Sequence, residues 1–134
     1  MSKIIFDTNA ILRFILNDIP SQHRKVVDIV KRAKLKQLEI IIPEIVVFET
    51  IFTLKSYYEY DRLTILNVLE SLLTSDYLLI ESRLVFIETL KLYKEFNISF
   101  VDAFLMAKSK ILGVKLFTFD EKLNKKSNVI ASLK

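Results

Sequence analysis

Cysteine is absent from this 134-residue chain, so no disulfide framework can staple it and no thiolate can hold a metal. Glycine occurs once and proline twice, which leaves little material for long irregular loops. The single histidine, His23, falls in the charged first turn of a helical stretch. With no second His or Cys beside it, it reads as a surface residue rather than a ligand or base. No uncharged apolar run approaches the roughly 18 residues that cross a bilayer. Asp7 interrupts the N-terminus before a signal-peptide core can develop. These absences predict a soluble, unexported, cytoplasmic protein held together by packing alone.

What is present is a dense core composition. Hydrophobic residues make up 51% of the chain and charged residues 27%, which excludes a disordered chain. A chain of this size fits one domain, 1–134, and buries roughly 65 to 70% of its unfolded surface. The formal net charge is +4. If several acids were committed to a metal site, the remaining surface would be more basic still, which suits a polyanionic partner.

The chain opens on KIIFDTNAILRFIL, residues 3–16. Ile4, Ile5 and Phe6 form a continuous apolar run, the pattern of a buried central strand. From Thr8 onward, Ile11, Leu12, Ile15 and Leu16 recur at helical spacing. Asp7 therefore stands where a strand turns into a helix, the edge at which open α/β sheets bind ligands. Residues 17–21 (NDIPS) read as a turn with Ser21 as the next N-cap, followed by an amphipathic helix to Leu35.

Leu38 to Ile42 (LEIII) is a second strand, closed by Pro43. The helix from about Pro43 to Tyr58 is apolar nearly all round, so it needs cover on more than one side, and a subunit interface is a reasonable source. Glu49, Thr53 and Ser56 form its narrow polar stripe, while Glu44 suits the helix N-terminus as a favourable charge. Asp61 caps a further helix, Tyr77 to Ile80 is a short strand, and an amphipathic helix spans Arg83 to Phe96. Ser99 and Asp102 have capping-box spacing at the start of a helix that ends at Gly113. Val114 to Thr118 (VKLFT) reads as a strand, Asp120 opens a short helix, and Val129 to Ile130 reads as a last edge strand.

Each acid has a local explanation in capping or in helix-dipole electrostatics. Together they share a topological logic. Strands joined by right-handed helical crossovers run parallel, so their carboxyl ends collect on one edge. Asp7, Asp102 and Asp120 can meet there, with Glu49 reaching in from a neighbouring helix. Carboxylates that close repel one another unless a cation neutralises them. Oxygen ligands without His or Cys point to Mg2+ or Mn2+ rather than zinc. The chemistry best served is phosphodiester hydrolysis, in which no Ser or His nucleophile is required.

Three motifs in register, IIFDTNAILRFIL, IPEIVVFETIFTL and FVDAFLMAKSKILGVKLFTFDEKL, resemble the PIN-domain ribonucleases and, within them, the VapC-type toxins of toxin-antitoxin pairs. The resemblance implies a three-layer α/β/α fold with a central parallel sheet. It makes Asp7 the central metal ligand and Glu49, Asp102 and Asp120 the other catalytic acids. Thr118 would orient water or the last carboxylate, with Asn9 and Thr8 in supporting positions around the first acid. It also implies a Mg2+ or Mn2+ cofactor, a homodimer, a cognate antitoxin, and structured RNA (transfer or ribosomal) cut at its loops. Many relatives carry a further acid where this chain has Ser99, which leaves the number of metals open.

Two other classes compete. A non-catalytic PIN-like module binding RNA or protein would be expected to lack one of the acids, and all four are here. A phospho-receiver domain places paired acids near its first strand and a Lys after its last, unlike this chain. A haloacid-dehalogenase-like phosphatase has a second Asp where Asn9 stands.

Overall fold

A computed structural model describes residues 1–132, with side chains placed through Asn128. In chain order the elements are β1 (Ser2–Ile5), α1 (Thr8–Ile15), α2 (Pro20–Lys34), β2 (Leu38–Ile42), α3 (Glu44–Ser56), α4 (Arg62–Thr74), β3 (Leu78–Ile80), α5 (Arg83–Glu95), α6 (Phe100–Leu112) and α7 (Glu121–Ser132). They group into two compact units, Met1–Ser82 and Arg83–Lys134.

The first unit is built on a parallel sheet in the order β1-β2-β3. Ile4 pairs with Ile40 and Ile40 with Leu78, so these three share one face. That face is dry: Leu38, Ile40, Ile42, Leu78 and Ile80 are all buried. The alternate row is open, with Ile5 at 67% and Leu79 at 45% exposure. Sequential parallel neighbours joined by right-handed crossovers carry both helical connections on the same face, which accounts for the asymmetry. Helix α1 packs against α2 and α3, and α3 against α4. Ile11, Leu54, Ile65 and Leu69 are essentially sealed from water.

The expected buried central strand is corrected here. β1 is the outermost of the three strands, and within its apolar run only Phe6 is buried, at 4% exposure. An apolar run signals that a strand is covered somewhere, but it carries no information about strand order. The expected cap at Ser21 also moves. Pro20 is the first residue of α2 and Ile19 its N-cap, without a side-chain cap bond. Proline's fixed φ and missing N–H suit that first position.

Polar groups tie the helices of this unit together at one end. Arg13, only 9% exposed, donates to Asp18 (Nη1 to Oδ2, 3.0 Å) and to the Tyr58 hydroxyl (3.1 Å). Tyr58 in turn donates to Asp18, 3.3 Å away. His23 Nδ1 lies 2.8 Å from the Arg13 carbonyl oxygen and the residue is half-buried, so it is tied into the structure rather than free on the surface as its sequence suggested. The Arg13 Nε is buried with no hydrogen-bond partner.

The second unit is helical. Phe86 of α5 stacks on Phe100 at 6.2 Å between centroids, and Tyr93 meets Phe100 edge-on at 5.6 Å. Lys110 of α6 reaches Glu88 of α5 at 2.6 Å. Ser99 caps α6, accepting the Asp102 N–H at 3.1 Å, and Gly113 ends it in the left-handed conformation, φ +67°.

Two expected strands are corrected in this unit. Residues 114–118 form no strand. The Val114 N–H donates back to the Ser109 carbonyl at 3.1 Å, and the Ser109 hydroxyl donates to the Val114 carbonyl, so the start of the segment is tied to its own helix. β-branched and aromatic residues fit a pleated surface, but a strand also needs a neighbour to pair with. Residues 129–130 belong to α7. Asp120 starts that helix, and no Gly or Pro follows to stop it.

Candidate functional site

The acids are placed first by local chemistry. Asp7 is the N-cap of α1, its Oδ1 accepting the Ala10 N–H at 2.8 Å. The aspartate is fixed by one oxygen at the positive end of a helix, while the residue stays exposed. Phe6 explains the precision of the turn. Its ring is buried and its N–H continues the ladder to Ile41 at 3.0 Å, so the chain is anchored up to the residue before the acid.

Glu49 comes from α3, 42 positions later, and points into the same turn. The Thr8 hydroxyl donates to Glu49 Oε2 at 3.3 Å. That contact crosses between two crossover units of the sheet, and it engages one carboxylate oxygen only. Asn9 is exposed beside them in the first turn of α1. Asp7, Thr8 and Glu49 therefore form one polar constellation at the carboxyl end of β1.

Asp102 and Asp120 belong to the second unit. Asp102 lies in the first turn of α6, half-buried, with its N–H on Ser99 Oγ. Asp120 is exposed; its Oδ1 accepts the Leu123 N–H at 3.0 Å, and its own N–H donates to Thr118 Oγ1 at 3.1 Å. The Thr118 hydroxyl thus fixes the backbone that carries the acid. All three aspartates occupy helix starts, and the two threonines each hold a neighbouring acid or its backbone.

Among the described residues, neither unit gathers three or more His, Cys, Asp or Glu side chains close enough to hold a metal ion. The donor chemistry of the first unit nevertheless suits a hard cation. It offers only oxygens, with Asp7 and Glu49 each fixed by one oxygen and exposed to water.

Sequence reasoning missed one partnership at this edge. Glu44, read as a helix-dipole charge, also accepts a 2.6 Å hydrogen bond from Ser82, which follows β3. Nothing in a sequence pattern marks a contact 38 residues apart. A groove of the unit lies elsewhere. It has a volume of about 430 Å3 and is lined by Phe14, Ile15, Asn67 and Tyr77. Phe14 is at the far end of α1 and Tyr77 precedes β3, so the groove opens toward the amino ends of the strands, away from Asp7.

Comparison with known proteins fixes the class. The PIN-domain family model matches residues 4–129, so the chain belongs to the PIN-domain family, whose three-layer α/β/α class agrees with the central parallel sheet and its helices. The chain is similar to the VapC ribonuclease of Aquifex aeolicus (strain VF5), 24% identical over 111 residues, covering 83% of this chain and 82% of that protein. No solved structure matches it significantly.

Proposed function

We propose that this PIN-domain protein is a divalent-metal-dependent endoribonuclease, the toxin of a toxin-antitoxin pair, and that 1–134 works as one domain. The observation that carries the reading is the Thr8–Glu49 hydrogen bond, which brings a distant glutamate to the turn that displays Asp7. Membership of the PIN family and the similarity to a VapC ribonuclease support it.

Asp7, Glu49, Asp102 and Asp120 would hold Mg2+ or Mn2+. When bound, such an ion offsets charge on the scissile phosphate and makes water a better nucleophile. The chain's own residues do the positioning. The α1 N-terminus fixes one oxygen of Asp7. Thr8 restrains Glu49, and Thr118 restrains the backbone of Asp120. The basic balance of the chain attracts RNA, and an unpaired loop can bring a splayed backbone to the carboxylates.

Exposed Ile45 (65%), Phe52 (70%) and Tyr57 (77%) on and just after α3 support a homodimer or antitoxin interface on that helix. Among the described residues no helix is long and apolar enough to cross a membrane. We place the protein in the cytoplasm, where its RNA substrate is. Incubating structured RNA with purified protein and Mg2+ tests the reading. Cleavage should disappear in Asp7→Asn and Asp102→Asn proteins whose circular dichroism is unchanged, and full activity of either variant in excess chelator would falsify it.

A further inference from the structure

Helix α3 carries Glu49 and is apolar on two opposite faces. Val46, Val47, Ile51 and Leu54 are buried, whereas Ile45 and Phe52, just as apolar, lie roughly opposite them at 65% and 70% exposure. Burial of the first set decides which face turns inward but, being non-directional, tolerates small rotations about the helix axis. Directional contacts at the two ends set the final angle. At the C-terminal end, the Tyr58 hydroxyl is held by Arg13 and Asp18. At the N-terminal end, the first residue of α3, Glu44, accepts the 2.6 Å bond from Ser82.

Ser82 is unusual in its own right. Its φ is +60°, the left-handed region that non-glycine residues seldom occupy and that costs on the order of 1 kcal/mol. Its hydroxyl meets Glu44 from a turn anchored by the Glu81 N–H on Ile42 at 3.0 Å. A strained backbone that aims a hydrogen bond at a carboxylate is a feature glycine could not replace.

We propose that Ser82 is a positioning residue: by pinning Glu44 to the end of β3 it fixes the rotation of α3, and so the direction in which Glu49 faces Thr8 and Asp7. The importance of that direction rests on Glu49 being one of the catalytic acids. Glu49 lies five residues beyond Glu44, about one and a half turns along the helix, close enough for a rotation to be felt undiminished.

Two substitutions in the full chain separate this role from simple stabilisation. Ser82→Gly keeps, and indeed favours, the left-handed backbone while deleting the hydroxyl. Ser82→Asn also tolerates that backbone and returns an N–H donor. The primary readout is the backbone amide spectrum. Ser82→Gly should melt no lower than the parent and yet shift the Thr8 and Glu49 amides, and Ser82→Asn should return them toward the parent positions. In RNA cleavage, Ser82→Gly should lower kcat about tenfold with KM little changed, as expected for a misplaced catalytic group, and Ser82→Asn should recover most of it. Amide shifts in Ser82→Gly confined to Glu44 and residue 82 would overturn the proposal. If the parent protein cleaves no RNA, the ribonuclease reading fails, while the amide spectra still decide whether Ser82 orients Glu49.

Discussion

The two halves of this chain hold their acids in different ways. In the first unit, Asp7 and Glu49 are brought to one turn by a tertiary contact, Thr8 to Glu49, laid over a sheet whose crossovers fix both elements. In the second, hydrogen bonds span two or three residues: the Asp102 and Asp120 N–H groups donate to Ser99 and Thr118, and the Asp120 carboxylate accepts from the α7 N-terminus. Short-range capping needs only the chain's own neighbours. A constellation such as Asp7–Thr8–Glu49 needs a fold.

The largest expected effect tests whether the first unit is the chemical centre. Asp7→Asn should reduce Mg2+-dependent RNA cleavage by about 10³-fold or more, since it halves the charge argument for a cation while preserving the cap. Comparable activity would shift the centre to the second unit. Next, Phe86→Ala removes the ring at the heart of the α5–α6 cluster, where Phe86 is fully buried, and should cost about 3–5 kcal/mol. Amide hydrogen exchange would then sharpen the division: loss of protection in α5 and α6 alone marks the units as separately cooperative, and uniform loss marks them as one.

Thr8→Val keeps the shape of the side chain and removes its hydroxyl, so Glu49 loses its restraint. Metal affinity or kcat should fall by about 10–100-fold, the usual cost of losing a group that orients a ligand. Tyr58→Phe removes one member of the Arg13–Asp18–Tyr58 network and should cost about 1 kcal/mol in denaturant unfolding.

The smallest effect is pH-dependent. Hydrogen bonds from Thr64, first its side chain and then its backbone, hold the exposed Asp61 carboxyl below the usual carboxylate range. A depressed value stabilises the fold above the unfolded-state value and loses that contribution as pH falls through the folded one. Asp61→Ala should therefore melt slightly earlier at neutral pH, and the gap should close in acid.

The same contrast explains what could be read from the residues alone. The caps at Asp7, Asp61 and Ser99 and the stop at Gly113 are local, and the chain shows each of them where the pattern put it. β2 and β3 were legible because their apolar runs end at Pro43 and at a polar turn. Strand order was not, which is why the run Ile4–Phe6 suggested a central strand and belongs to an edge. Residues 114–118 have strand composition, but strand formation depends on a partner that composition cannot supply. Arg13's burial and the Ser82–Glu44 bond depend on contacts remote in sequence, and no periodicity announces them. Of the acids that the pattern nominated, the structure shows hydrogen bonds to the carboxylates of Asp7, Glu49 and Asp120 and, at Asp102, a bond from the backbone N–H.

The account stands most directly on whether the proposed acids bind a divalent cation. Calorimetric titration of Mn2+ into the parent protein, Asp7→Asn and Asp102→Asn measures this without RNA. The account predicts saturable binding to the parent that is lost in both variants. No binding to the parent, or parental affinity in Asp102→Asn, would contradict it.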